Sequence, residues 1–298
     1  MNFLASIPSP DVSYIDLGPV RLHFYALFIL TGIIIATLLA DYRLARRGAP
    51  KGAFLDIALW AVPFGILGGR LFHVITHPAD YFYEGADLLA IFRIWEGGLA
   101  IYGALILGAV GVYIGTRQAG LRFLTVADAV APGILIAQGI GRLGNYFNKE
   151  LFGLPTDLPW GLEIPSTNPA YPIGLPDGLT FHPTFLYELI WNIAGALALL
   201  WLARKLQLQW GKVFALYLVI YSLGRVWIET IRIDPSEIIL GLRVNVWSAL
   251  IGIAVGLIIF IVQTRRHPGL EPSVFIPGRE PVQEDAADLD QEAENKTN

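Results

Sequence analysis

Residues 124–153 read LTVADAVAPGILIAQGIGRLGNYFNKELFG, and the change of character partway along this stretch decides the fold. The first part, 124–141, is apolar over the length of a membrane-crossing helix, which takes roughly 17–25 residues. Arg142, Asn145, Asn148, Lys149 and Glu150 follow directly, and Gly153 closes the run. An arginine set against hydrocarbon costs roughly 2.5–3.5 kcal/mol at a helix centre on insertion scales, so by default it marks a functional site with a partner. Continued as a helix, Gln138, Arg142, Asn145 and Lys149 share one face, being four, three and four residues apart.

The rest of the chain has the same character. Of its 298 residues 54% are hydrophobic and only 15% charged, with a mean hydropathy of +0.54; soluble domains carry about 25% charged residues. An ordinary soluble enzyme is excluded, and an all-α polytopic membrane protein is predicted. About seven apolar spans are legible, at 22–41, 54–75, 97–115, 124–141, 184–203, 212–231 and 245–264, the second and fourth interrupted by Pro63 and Pro132. Basic clusters (Arg43, Arg46, Arg47 and Lys51; Arg117 and Arg122; Arg204, Lys205 and Lys212; Arg265 and Arg266) all fall on one side. By the bias of lysine and arginine towards cytoplasmic loops, the N-terminus is expected outside and the C-terminus in the cytoplasm. The first 21 residues lack the basic-then-apolar order of a cleavable signal peptide.

Residues 1–267 therefore form the expected transmembrane catalytic domain, and 268–298 a polar cytoplasmic tail whose end, from Glu280, is acidic and without aromatics, as disordered segments are. The one long inter-span insert, 150–183, is rich in Pro, Gly and Asn and reads as a small cap on the outer face. Residues 78–96, with Tyr81, Tyr83, Phe92 and Trp95, look like an interfacial aromatic segment. There is no cysteine, so disulfides, thiol catalysis and thiolate metal sites are unavailable to the chain, and any reacting thiol belongs to a substrate. The acids do not cluster as divalent-metal motifs do; neither a metal nor a cofactor is expected, and nothing points to nucleic acid.

A second polar stripe lies on the sixth span, where Tyr221, Arg225, Glu229 and Arg232 are four, four and three residues apart and Arg225 can pair with Glu229 along the helix. Span five adds Tyr187, Glu188 and Asn192 behind His182-Pro183-Thr184, and span two adds Arg70, His73 and His77. Charged groups at span ends can merely snorkel to the interface and anchor a helix, and Arg225 with Glu229 could be a purely structural pair. Two arginines, each on a stripe of other polar groups, favour a site for an anion. The Gly68-Gly69 and Gly97-Gly98 pairs read as helix packing.

Gly141 to Gly153, GRLGNYFNKELFG, resembles the signature of the prolipoprotein diacylglyceryl transferases, bacterial membrane enzymes that place a diacylglyceryl group on a lipoprotein precursor's cysteine. His23-Phe24-Tyr25, Trp95-Glu96-Gly97-Gly98, His182-Pro183-Thr184 with Tyr187-Glu188, and Tyr221 through Arg225 and Glu229 to Arg232 extend the resemblance over residues 20 to about 265. Two positions depart from it. Many members have a histidine, considered as a catalytic base, where this chain has Tyr102, and the aromatic after Asn145, commonly Phe, is Tyr146. The run Gly241-Leu242-Arg243-Val244-Asn245-Val246-Trp247 is similar to the actinobacterial-type branch.

The resemblance implies a phosphatidylglycerol substrate, a prolipoprotein signal peptide bearing a lipobox cysteine, and a multi-pass enzyme of the bacterial cytoplasmic (inner) membrane, among its lipids, with its site towards the outer leaflet. On that footing Arg142 is expected to hold the lipid phosphate and Arg225 to meet charge on the leaving group, since arginine's planar fork suits phosphate oxygens. Asn145, Asn148 and Glu150 are placed at the glycerol headgroup, and Glu229 orients Arg225. Tyr25, Gly153, His182, Tyr187, Glu188 and Arg232 complete the expected substrate-binding set, with Tyr102 and Tyr221 as catalytic candidates. The base stays open between Tyr102, Tyr221, His182 and none, because a tyrosine with a pKa near 10 accepts protons poorly at neutral pH. A transporter or binding protein for an anionic or lipid solute could use the same paired arginines, although no internal repeat supports it.

Overall fold

The computed structural model describes residues 6–18 and 21–280. The tail expected over 281–298 lies outside the described residues. Among the described residues seven long helices carry the fold: α1 Phe24–Ala45, α2 Ala53–Thr76, α3 Ile101–Gln118, α4 Phe123–Asn148, α5 Thr184–Lys205, α6 Lys212–Glu229 and α7 Val244–Arg266. Five of them, α1, α2, α4, α5 and α7, are long and apolar enough to cross a membrane. The other two have 18 residues each, and α6 carries Lys212, Arg225 and Glu229 within that length.

Small residues set the packing, because without a driving force between apolar faces in lipid, membrane helices gain by close backbone approach. Along the α2–α3 seam a methyl group on Gly115 would lie 2.9 Å from the Ile57 Cα, and one on Gly111 would lie 2.6 Å from the Trp60 carbonyl. Gly133 sits as tightly on Ala36 of α1. α4 packs against α1, α5 and α6, and is the most extensively buried of the seven helices. Its interior proline, Pro132, is buried, and the helix runs through it to Asn148, seven residues beyond the expected end of span four. That extension puts the GRLGNYFN segment on a helix. Lys149, in the left-handed region at φ 53°, ends it.

At the end of the bundle rich in arginine and lysine, two buried acids tie the connections together. Asp128, on α4, accepts the backbone N–H groups of Gly211 and Phe214 at 2.8 and 2.9 Å and so caps α6 from a neighbouring helix. Glu271 accepts from Arg47 at 2.5 Å, the Thr125 hydroxyl at 2.6 Å and the Trp210 N–H at 2.7 Å. Residues 268–280, grouped by composition with the polar tail, form a strap across this end. Val274 and Phe275 of the strap are buried in a cluster with Leu44, Ile57, Leu121 and Val126.

The opposite end holds three two-stranded antiparallel ribbons: β1 Tyr14–Asp16 with β2 Arg21–His23, β3 Leu162–Glu163 with β4 Thr180–Phe181, and β5 Ile238–Ile239 with β6 Leu242–Arg243. The insert between α4 and α5 has its own apolar centre of Phe152, Leu162, Ile164, Phe181 and Phe185, which makes it a cap. Between α2 and α3 the chain makes short 3-10 turns at Pro78–Asp80, Leu88–Phe92 and Ile94–Glu96, with Tyr83, Phe92 and Trp95 exposed. Tyr81 departs from the interfacial reading. It is buried, with the Arg70 guanidinium over its ring. Arg70 also donates to the carbonyls of Ala90, Ile91, Gly97 and Gly98, and these bonds occupy it in holding the segment.

Candidate active site

The polar stripes of α4, α5 and α6 meet at the capped end. Arg142 Nε forms an ion pair with Glu188 Oε2 at 2.8 Å, and Arg225 Nη1 lies 3.7 Å from the other oxygen of the same carboxylate. One α5 acid thus stands between the two arginines. Arg225 Nη2 also pairs with Glu229 Oε1 at 2.5 Å, the expected one-turn contact along α6. Glu229 is fully buried and meets two more guanidiniums, Arg232 at 3.4 Å and Arg243 at 2.7 Å. Asp234 closes the chain of charges, taking Arg232 Nε at 2.6 Å and Arg243 Nη2 at 3.2 Å.

Four arginines (142, 225, 232 and 243) are therefore joined by ion pairs to three acids (Glu188, Glu229 and Asp234). Arg232, just beyond α6, is held above the ordinary arginine range: burial disfavours its charge, but Asp234, Glu229 and Glu188 outweigh that. Two of the guanidinium nitrogens are not satisfied. Arg225 Nη1 and Arg232 Nη1 are buried without a hydrogen-bond acceptor. A buried donor left unmet is costly, and two such donors among surplus cations suit the oxygens of an anion.

The α4 terminus supplies a polar wall of two asparagines gathered on the Glu150 carboxylate. Arg142 Nη1 donates to Asn145 Oδ1 at 3.3 Å, Asn145 Nδ2 to Glu150 Oε1 at 2.8 Å, and Asn148 Nδ2 to the same oxygen at 3.2 Å. Gly144 lies under Tyr25, whose Cα and Cγ would each be 3.0 Å from an added methyl group, so only glycine admits the ring beside Arg142 and Asn145. Gly153 has a similar reason. Its backbone bridges to Arg232, its N–H donates to the His182 carbonyl at 2.9 Å, and a Cβ would lie 2.8 Å from both His182 Cβ and the Ile231 carbonyl. This glycine lets the cap sit on the end of α6.

His182 and Tyr187 form a separate chain beside the arginines. The Trp160 indole donates to the Tyr187 hydroxyl at 3.0 Å, and that hydroxyl lies 3.1 Å from His182 Nδ1. An indole is a donor only, so the Tyr187 hydroxyl accepts from it and has its own proton to offer His182. Tyr187 stacks on Trp227 of α6. Tyr221 is one turn before Arg225 and stacks on Tyr217. Tyr102 is placed differently. It is 48% exposed on the α3–α7 seam, its hydroxyl 3.4 Å from Ser248 Oγ, and no hydrogen bond joins it to the arginine cluster among the described residues.

Residues 13–262 match the family model described as prolipoprotein diacylglyceryl transferase. The chain belongs to the prolipoprotein diacylglyceryl transferase family. It is 57% identical over 290 residues to the phosphatidylglycerol–prolipoprotein diacylglyceryl transferase of Leifsonia xyli, covering 94% of this chain and 87% of that protein. Streptomyces coelicolor has a transferase of the same name, numbered 1, at 49% identity over 96% of this chain and 83% of its own length. The transferase of Rhodococcus jostii is 44% identical over 98% and 86%. These relatives are actinobacterial, as the Gly241–Trp247 run led us to expect.

Arg243, Asp234 and Asn245 also belong to this charge cluster, and the sequence reading does not single them out. Arg243 enters the cluster from β6, and Asn245 donates to Glu229 at 3.3 Å from the first turn of α7. The only available signal was the Arg243-Val244-Asn245 run itself, polar residues at the mouth of an apolar span, which had been read as a mark of the branch.

Proposed function

We propose that this chain is a phosphatidylglycerol–prolipoprotein diacylglyceryl transferase, catalysing the first step of lipoprotein maturation. The observation that carries the reading is the pair of buried guanidinium nitrogens on Arg225 and Arg232 that make no hydrogen bond, in a cluster where arginines outnumber the acids paired with them. In the reaction the sulfur of the precursor's lipobox cysteine attacks the glycerol carbon that bears the phosphate ester. A C–S bond forms, the C–O bond breaks, and its electron pair leaves on the phosphate oxygen as glycerol phosphate. The thiol proton is lost, and the product is a thioether.

Arg142 holds the lipid phosphate, and Arg225 meets the charge that grows on the leaving oxygen. Donors fixed beforehand in a dry site stabilise such charge without reorganising. Glu188 sets the spacing of the two arginines and Glu229 aims Arg225. Asn145, Asn148 and Glu150 receive the headgroup hydroxyls, with Tyr25, His182, Tyr187 and Arg232 around them and Gly153 fixing the cap; no metal takes part. Tyr221 and Tyr102 remain candidates for proton transfer, Tyr221 the nearer to Arg225 in sequence. A neighbouring arginine can also favour the substrate thiolate directly, as positive charge lowers a thiol's pKa.

The seven helices all span the bacterial cytoplasmic membrane in this reading, with the N-terminus and cap outside, the strap and C-terminus inside, and the arginine cluster at the outer leaflet. The basic clusters around Arg43, Arg117, Arg204 and Arg265 support that direction. Residues 1–267 are the catalytic domain and the end of the chain is cytoplasmic. Purified protein incubated with phosphatidylglycerol and a peptide carrying a lipobox cysteine should yield a thioether-linked lipopeptide, whereas a Cys→Ser peptide should yield none. Uptake of an anionic solute into vesicles with no lipopeptide formed would falsify the transferase reading in favour of a transporter.

A further inference from the structure

The cluster contains a cation that none of the expected roles uses. Arg243, on β6, sits where Arg232 would otherwise find its partners. Glu229 and Asp234 each have two oxygens, and Arg243 occupies one on each: Nε lies 2.7 Å from Glu229 Oε2, and Nη2 lies 3.2 Å from Asp234 Oδ2. Its remaining nitrogen, Nη1, donates to the Arg232 backbone carbonyl at 3.2 Å, which ties β6 to the end of α6.

Arg225, Arg232 and Asn245 are left to share what Arg243 does not take. Glu229 Oε1 has Arg225 Nη2 at 2.5 Å, Asn245 Nδ2 at 3.3 Å and Arg232 Nη1 at 3.4 Å, too crowded for Arg232 to make a hydrogen bond. On Asp234, Arg232 keeps only the single Nε bond to Oδ1. Arginine and carboxylate prefer a bidentate fork of two parallel bonds. Neither Arg225 nor Arg232 achieves one on these acids.

We infer that Arg243 is a positioning residue for the transfer reaction: by occupying one oxygen of Glu229 and one of Asp234, it prevents Arg232 from closing a bidentate pair on either acid and keeps its Nη1 donor available for the phosphate of the lipid. The inference rests on the transferase reading and deepens it. Arg243 touches no substrate itself. Its effect is on how many donors Arg232 has to offer, and it acts on the affinity for a phosphate-bearing ligand before it acts on the chemical step.

The test compares full-length Arg243→Gln, Arg243→Lys, Asp234→Asn and Arg243→Gln/Asp234→Asn with wild type. KM for phosphatidylglycerol and kcat are measured by lipopeptide formation, and the rise in Tm on adding glycerol phosphate reads anion binding without turnover. Arg243→Gln should raise KM about tenfold, as loss of a hydrogen bond to a charged group does, with kcat within about threefold and a smaller Tm shift. Arg243→Lys, which offers a point charge without a fork, should fall between it and wild type. Asp234→Asn in the Gln background removes an acid that would otherwise capture Arg232, and should recover part of the lost affinity.

A KM for Arg243→Gln within twofold of wild type would overturn the inference while leaving the transferase reading intact. A kcat loss at unchanged KM would do the same. Absence of transfer by wild type would instead remove the reading itself, and the Tm shift would still report on the donors. If Arg243→Gln does not fold, Asp234→Asn alone decides: it releases Arg232 Nε, so KM should stay level or fall, and a tenfold rise counts against the inference.

Discussion

The two ends of the bundle are built from the same parts and finished differently. At the basic end, Asp128 and Glu271 are buried, and the oxygens of both carboxylates are taken by backbone N–H groups, a threonine hydroxyl or Arg47. At the capped end, Glu188, Glu229 and Asp234 are outnumbered by the arginines joined to them, and two guanidinium nitrogens face a carboxylate oxygen without a hydrogen bond to it. A buried acid that meets amide groups of its own chain holds connections in place. A cluster with cations in excess is incomplete until an anion arrives. The basic end has one unmet guanidinium nitrogen of its own, Arg43 Nε, so what separates the ends is that the capped end gathers two such donors in one cluster where arginines outnumber acids.

The comparison breaks most sharply at the arginines. Arg142→Ala and Arg225→Ala should each lower transfer by about 10²–10³-fold, the loss typical of removing one preorganised donor from a developing negative charge, while the protein still inserts and folds, with a lower melting temperature because each removes a partner from a buried carboxylate. Lipopeptide formation and a thermal melt in detergent check this, and full activity in either variant would end the phosphate-clamp reading. Next comes Gly153→Ala, where the added methyl group meets the Ile231 carbonyl, backbone that cannot rotate away. It should cost about 1–3 kcal/mol in stability, as overpacking does, and lower transfer roughly tenfold as the cap lifts from α6.

Glu271→Ala sharpens the contrast from the other end. It strands Arg47 and the Trp210 N–H, so stability should fall towards the low end of the about 3–5 kcal/mol that breaking a buried pair costs, since Arg47 is partly exposed. The kcat of the molecules that remain folded should not change, whereas a kcat loss of the size seen at Arg142 would erase the distinction between the ends. The smallest effect is expected from Tyr102→Phe, which gives up only the 3.4 Å contact with Ser248. Turnover should remain within about twofold, which would take Tyr102 out of the candidates for proton transfer, and a drop of 10²-fold or more, the worth of a general acid or base, would assign that transfer to it.

Hydrophobic runs and helical spacing made seven helices and two arginine stripes legible, because both signals are local and periodic. The spacing of Arg225 and Glu229 gave their pairing directly. What stayed hidden required contacts between distant segments. Arg243 lies outside the apolar spans and reaches Glu229 and Asp234 through the β5–β6 ribbon, which no periodicity announces. Tyr81 looked interfacial until Arg70 was found over its ring. Val274 and Phe275 were masked by polar neighbours in a segment whose average composition is that of a tail, although two apolar side chains suffice to dock it once Glu271 is in place. The polar face of α4 was visible, but the sequence alone did not say that Glu188 would stand between its arginine and the one on α6.

Arg70 carries a consequence for the order in which the protein is made. Its nearest acceptor in sequence, the Ala90 carbonyl, lies 20 residues downstream, and the farthest, that of Gly98, lies 28 downstream. When α2 leaves the ribosome its guanidinium has no partner, and a lone arginine within a span is disfavoured in hydrocarbon. Arg70 therefore finds its acceptors only after the segment through Gly98 has been made and has folded back on α2, with the loop as the lock of the α2–α3 pair.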